Sequence, residues 1–290
     1  MSRKKQQKNG PRNVRSTVAL ILSGGAARGL AHVGVISVLE EHKIPVDIVV
    51  GASFGSIVAG YYGYGYSIDQ MLEFAQKFKL WSLRDFRLPW RSFLNGDKEE
   101  GIFDQDLGKI KIEDLKLPVV ILAADLMKKR EVIFDRGSLS AAMRASSAFP
   151  GLFDPYSIGE QLLIDGGIMD DVPVKVARER GADIVISSDV SILSRIYKKK
   201  VANFLFKILL NRVSKRGPLV PRATLTSIIR NTLSIIAKYH EDKSEAPDFL
   251  IEPLEGEIKP LHFRKVEEGF HLGRIAALGI IEDIVRRVYG

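Results

Sequence analysis

A chain of 290 residues with 46% apolar and 27% charged side chains has the make-up of a soluble globular protein, with enough length to bury a sizeable core. Cysteine is absent, which excludes disulfides, thiolate chemistry and cysteine-held metals, and the five histidines (32, 42, 240, 262 and 271) have no spacing that suggests a metal pair. The net charge of +8 is uneven: Arg3, Lys4, Lys5, Lys8, Arg12 and Arg15 stand together with no acid among them. Residues 1–14 are therefore expected to form a solvated basic tail, and residues 15–290 the folded domain.

Thr17–Leu22 reads as a buried strand, too short for the apolar region of a signal peptide, and runs into the loop Ser23-Gly24-Gly25-Ala26-Ala27-Arg28-Gly29. Leu30, Val33, Ile36, Val38 and Leu39 lie on a helical stripe that ends near His42. Asp47–Val50 is the next strand and Ser53–Tyr64 the next helix. Strand, loop and helix, twice over, predict a parallel sheet with right-handed crossovers. Asp69–Phe78 reads as a further helix. Lys79 to Glu100 shows no period and mixes two Trp, two Phe and several Arg, which suits a covering lid or a packed irregular excursion.

Pro118–Ala124 and Glu131–Phe134 read as strands around the polar turn Met127–Arg130, and Ser138–Ala148 as a helix of small residues. Gln161–Ile164 is a strand leading into Asp165-Gly166-Gly167, followed by a short helix at Val174–Arg180 and a strand at Ile184–Val190. Beyond Ser191 the pattern turns helical, at Val201–Leu209 and again at Thr224–Tyr239. Phe249–Ile251 is a last strand and Gly269–Tyr289 a closing amphipathic helix. No stretch approaches the ~20 uninterrupted apolar residues needed to span a bilayer.

Chemistry concentrates in the glycines. Gly51-Ala52-Ser53-Phe54-Gly55, directly after the apolar run Ile48-Val49-Val50, has the form of a nucleophile elbow, a turn so tight that only small residues fit beside the serine. The upstream loop can bring several N–H groups to one point, the arrangement of an anion site. It lacks the Lys-Ser/Thr of a phosphate-binding P-loop and the G-x-G-x-x-G of a dinucleotide fingerprint, which leaves an oxyanion hole as its best use. A serine also needs a base. Chain order permits Ser53, an Asp and His262 or His271, as in an α/β-hydrolase triad. Only one strand precedes the elbow, however, and both histidines are flanked by helical pattern. Asp165 is the better candidate, since it ends an apolar strand and two glycines follow it. Asp125 and Asp189 also end strands.

Four elements in order, Gly24-Gly25-Ala26-Ala27-Arg28-Gly29, Gly51-Ala52-Ser53-Phe54-Gly55, Ala145-Ser146-Ser147-Ala148-Phe149-Pro150-Gly151 and Asp165-Gly166-Gly167, carry a resemblance. With them the chain resembles the bacterial branch of the patatin-like phospholipases, which is also similar to the catalytic domain of neuropathy target esterase. Val172-Pro173-Val174 through Gly181-Ala182-Asp183 extends the likeness, which covers roughly Val18 to Val190. It implies a three-layer α/β/α fold with a mainly parallel central sheet, lipid or phospholipid ester substrates and no cofactor or metal. It further implies a Ser–Asp dyad without histidine, here Ser53 and Asp165, and an oxyanion hole at Gly24, Gly25 and Ala26 with Arg28 at the motif's basic position. Ser23 and Ala26 depart from the plant form of the motif, which carries Asp and a third Gly. A non-catalytic lipid-binding or regulatory protein on the same fold is the alternative; a scaffold would not need both Ser53 and Asp165.

The Lys-flanked apolar stripe within Arg195–Arg216 fits docking on an anionic membrane surface, and equally a helix packed on the sheet with a solvated basic rim. No nucleic-acid reader motif accompanies the charge, so nucleic acid is not an expected partner. The expected location is cytoplasmic, or peripheral on the inner face of a membrane.

Overall fold

Strand β1 (Val18–Leu22) is buried at every position, and its neighbours explain why. It pairs in parallel with β2 (Ile48–Ala52) on one side and β7 (Ile184–Ser188) on the other. β2 continues in parallel to β3 (Val119–Asp125), and β7 to β8 (Phe249–Ile251). Three antiparallel strands complete the far side: β4 (Arg130–Phe134), β5 (Tyr156–Ile158) and β6 (Gln161–Asp165). The eight strands run in the order β5-β6-β3-β2-β1-β7-β8, with β4 also paired to β3. The computed structural model describes residues 15–77, 96–150, 152–191, 225–239, 245–253, 258 and 262–290.

Alternate residues of β1 enter two different cores, as the period of two requires. Val18, Leu20 and Leu22 pack with α1 (Leu30–Glu41) and α2 (Phe54–Tyr64); Ala19 and Ile21 pack with α6 (Val174–Glu179). Helices on both faces are what allow a parallel strand to be apolar throughout. Truncating Leu20 or Ile21 to Ala would cost about 2–5 kcal/mol. The remaining helices are α3 (Ile68–Lys77), α4 (Asp97–Leu107), α5 (Leu139–Ser146), α7 (Leu225–Tyr239), α8 (Val266–Leu278) and α9 (Ile281–Tyr289). Of these, α8 packs along α1, while α7 sets Ile228 and Ile235 against Ala124, Ile164 and Met169 on the other face. The architecture is the expected three-layer α/β/α with a mainly parallel sheet.

Two expectations change. The closing helix is two helices, α8 and α9, broken at Gly279 and Ile280. The excursion expected to reach Glu100 gives way to α4 from Asp97 onward; its residues 78–95 lie outside the described residues, as do the tail 1–14 and the stripe at 201–209. Among the described residues, no helix is long and apolar enough to cross a membrane.

Candidate active site

A junction in the sheet brings the candidates together. β3 uses one edge for β4 and shares the other between β2 and β6, which meet end to end. Ala52 pairs with Leu122, and Asp165 pairs with the next residue, Ala123. Ser53 and Asp165, far apart in sequence, therefore emerge side by side. The Ser53 hydroxyl donates to Asp165 Oδ2 at 2.6 Å, with no imidazole between them. Asp165 Oδ1 accepts the Gly167 amide at 2.9 Å. Only 3% of Asp165 is exposed. Burial pushes its pKa up to about 7, against the opposing pull of the Ser53 and Gly167 hydrogen bonds.

The elbow is as tight as its sequence suggests. Ser53 has φ 54° and ψ −129°, a conformation that costs a non-glycine residue roughly 1–3 kcal/mol and is held by its surroundings. A Cβ on Gly51 would fall 2.6 Å from Ser56 Cα, and one on Gly55 2.5 Å from the Ser23 carbonyl oxygen. The Ser53 amide donates to Ser146 Oγ at 2.9 Å, and that hydroxyl donates to the Leu122 carbonyl at 2.6 Å. Ser146 thus ties the elbow to β3.

The glycine loop comes close to the elbow at Gly24. A Cβ on Gly24 would lie 2.9 Å from Ser53 Cβ and 3.5 Å from its Oγ, whereas one on Gly25 would meet Val190. Among the described residues the buried amides of Gly24 and Gly25 donate to no acceptor. Two buried N–H groups in that state are a ready receptor for an anion. Ala26 takes φ 51°, the conformation expected to suit a glycine. The Arg28 Nε donates to the Ile258 carbonyl at 2.9 Å, tying the loop to the segment before α8.

The other candidates are placed elsewhere. Asp125 Oδ1 accepts the Met127 and Lys128 amides, and Asp189 accepts from the amide and hydroxyl of Ser191, so both serve turns. His271 is exposed on α8, and His262 precedes that helix in a loop rather than in helical surroundings. Among the described residues, no group of three or more His, Asp or Glu is disposed to hold a metal ion.

Several residues near the site were not singled out by the sequence. Ser146 sits inside a motif already noted, without a role. Glu99 and Arg144 are both buried, 3.9 Å apart, and Ser147 Oγ donates to Glu99 at 3.1 Å. Desolvation lifts Glu99 to about 7, with Arg144 and Ser147 pulling the other way and Asp165 adding a smaller push. Arg144 donates to the Gly96 and Asp154 carbonyls and lies over the rings of Phe153 and Tyr156. His32, fully buried in the first turn of α1, binds Ser23 and Ser188.

A family model described as patatin-like phospholipase matches residues 20–178, more than half of the chain. Lysophospholipase NTE1 of Debaryomyces hansenii is 30% identical over 269 residues, covering 89% of this chain and 17% of the yeast protein. An uncharacterized NTE family protein of Mycobacterium bovis is 35% identical over 173 residues, covering 59% of this chain and 48% of its own length. The chain thus spans a small part of the yeast lysophospholipases it matches. Among solved structures, VipD from Legionella pneumophila shares the fold, with a TM-score of 0.59 at 14% identity over 93% of this chain and 67% of VipD.

Proposed function

The chain belongs to the patatin-like phospholipase family, and on that premise we propose that it is a serine acyl hydrolase of lipid esters working through a Ser53–Asp165 dyad. One observation carries the reading: the hydroxyl of a positive-φ serine is hydrogen-bonded at 2.6 Å to a buried carboxylate, and the glycine loop approaches that serine at Gly24. In the reaction, Ser53 Oγ attacks the ester carbonyl as Asp165 Oδ2 takes its proton. The oxygen of the tetrahedral intermediate, now negative, is received by the glycine-loop amides, with Ala26 and Arg28 completing the loop. Collapse breaks the ester C–O bond, and the protonated Asp165 delivers its proton to the departing alcohol. Water then attacks the acyl-enzyme, losing a proton to Asp165; the Ser53 Oγ–acyl bond breaks, Asp165 returns the proton to Ser53 Oγ, and the fatty acid is released. An ordinary aspartate is a weak base at neutral pH; a carboxylate lifted to about 7 is matched to the task.

Relatives named lysophospholipases point to single-chain phospholipids as the substrate class. Residues 15–290 would form the catalytic domain. The acid-free tail at 1–14 and the basic stripe at 201–209 would bring it to anionic membrane surfaces. Two measurements test the reading. Incubation with lysophosphatidylcholine should release fatty acid, and a fluorophosphonate should label one serine, Ser53; no release together with no label would make the chain a non-catalytic member. Co-sedimentation with anionic vesicles should weaken with salt and on deletion of residues 1–14, whereas equal partitioning to zwitterionic vesicles would remove the membrane role.

A further inference from the structure

His32 is a buried titratable side chain beside the glycine loop that the mechanism leaves unused. It is fully buried, and both ring nitrogens are occupied: Nε2 lies 2.9 Å from the Ser23 carbonyl oxygen and Nδ1 2.8 Å from Ser188 Oγ. The tautomer follows from the partners. A carbonyl oxygen only accepts, so Nε2 carries the hydrogen, Nδ1 is the acceptor, and the Ser188 hydroxyl donates to it. Burial drives the imidazole down to about 4, so the ring is neutral where the dyad works.

The carbonyl it grips belongs to the Ser23–Gly24 peptide unit. That unit is planar and trans, so the C=O of Ser23 and the N–H of Gly24 point in opposite directions. Fixing one fixes the other, and Gly24 is the loop residue on which a Cβ would fall 2.9 Å from Ser53 Cβ. Two further bonds clamp the same residue: the Ser23 amide donates to the Ser188 carbonyl at 3.1 Å, and Ser23 Oγ accepts the Val190 amide at 2.8 Å. Ser23, α1 and the end of β7 thus form one frame around the entrance of the glycine loop.

We propose that His32 is a positioning residue that aims the Gly24 amide at the developing oxyanion, through the Ser23 carbonyl, with Ser188 setting its tautomer. The inference rests on the acyl-hydrolase reading and deepens it. Its role is felt in the transition state, so its loss should lower kcat and leave KM nearly unchanged.

The test compares His32→Ala and His32→Gln with the wild type, using p-nitrophenyl butyrate turnover and the affinity of a trifluoromethyl ketone, whose hemiketal oxygen mimics the oxyanion. In His32→Ala, kcat should fall on the order of 10²-fold, as for loss of one oxyanion donor, with KM within about threefold and ketone affinity falling in parallel. His32→Gln, whose amide can still donate to Ser23, should recover a large part of both. Wild-type kcat in His32→Ala, or a loss of kcat with unchanged ketone affinity, would overturn the proposal. A third measurement needs no variant: long-range ¹⁵N–¹H NMR of the wild type should show a neutral ring protonated on Nε2 from pH 5.5 to 9. A ring protonated on Nδ1, or one titrating in that range, would overturn it equally. Ser53→Ala separates the two claims. If Ser53→Ala keeps turnover, the acyl-hydrolase reading fails; if it is inert while His32→Ala is fully active, only the role of His32 fails.

Discussion

The two sides of the sheet are built differently, and the proposed active site lies where they join. On the β2–β1–β7 side, parallel strands are buried on both faces at every residue. On the other side, β4, β5 and β6 are antiparallel and largely half-buried. The first side supplies the part that must tolerate strain, the positive-φ Ser53 at the end of β2. The second supplies the part that must be tuned, the carboxylate of Asp165 at the end of β6. A strained turn persists where packing over-determines it, and a buried carboxylate persists where specific hydrogen bonds offset part of its desolvation. The dyad takes one from each.

Removing the proposed nucleophile should have the largest effect. Ser53→Ala is expected to abolish lysophospholipid hydrolysis, by at least ~10⁴-fold in kcat, while its melting temperature stays at or above that of the wild type; residual turnover at a tenth of the wild-type rate would detach the strained side from the chemistry. Next in size is the base. Asp165→Asn should cost at least ~10²-fold in kcat, measured at equal folded fraction by circular dichroism. The link between the sides comes third. Ser146→Ala leaves the part-buried Ser53 amide without its acceptor and the Leu122 carbonyl without its donor, which should destabilise by about 1–3 kcal/mol and slow turnover roughly tenfold through a loosened elbow. Chemical denaturation and steady-state kinetics on the same sample check both numbers; an unchanged kcat would show that packing alone aims Ser53.

The last prediction concerns stability and its pH dependence rather than turnover. Asp165 holds its proton up to about 7 in the folded chain, whereas an unfolded aspartate loses it near 4. Between those values the native state binds the extra proton, so stability falls as pH rises and the loss is complete above about 7. The difference between wild type and Asp165→Asn isolates this contribution, which is roughly 4 kcal/mol at the limit, from those of Glu99 and Glu131, also lifted to about 7. The Asn variant should therefore be the more stable protein at pH 8, and the gap should close towards pH 4.

Legibility followed the same division. β1 and β2 are apolar runs followed by glycine or serine turns, and β7 opens on the apolar run Ile184-Val185-Ile186, so the parallel side and the elbow could be read directly. Asp165 stood out because two glycines follow it. By contrast, α4 buries Glu99, Phe103 and Leu107 among acids and a mid-helix glycine, a face too thin and too charged to show a period. β5 has three residues and no pattern to detect. Glu99 and Arg144 are linked only by the fold. His32 was hidden for the opposite reason: nearly all of α1 is buried, between the sheet and α8, so a polar residue inside the run has no distinguishing phase.

The central claim is that Asp165, lifted by burial, is the base for Ser53. The most direct test is the rate of fluorophosphonate labelling from pH 5 to 9, followed by intact-protein mass spectrometry in the wild type and in Asp165→Asn. A single adduct on Ser53 is expected, formed about tenfold more slowly per pH unit below about 7. In Asp165→Asn labelling should be at least ~10²-fold slower and flat with pH. A pH-independent wild-type rate, or an equal rate in the Asn variant, would contradict it.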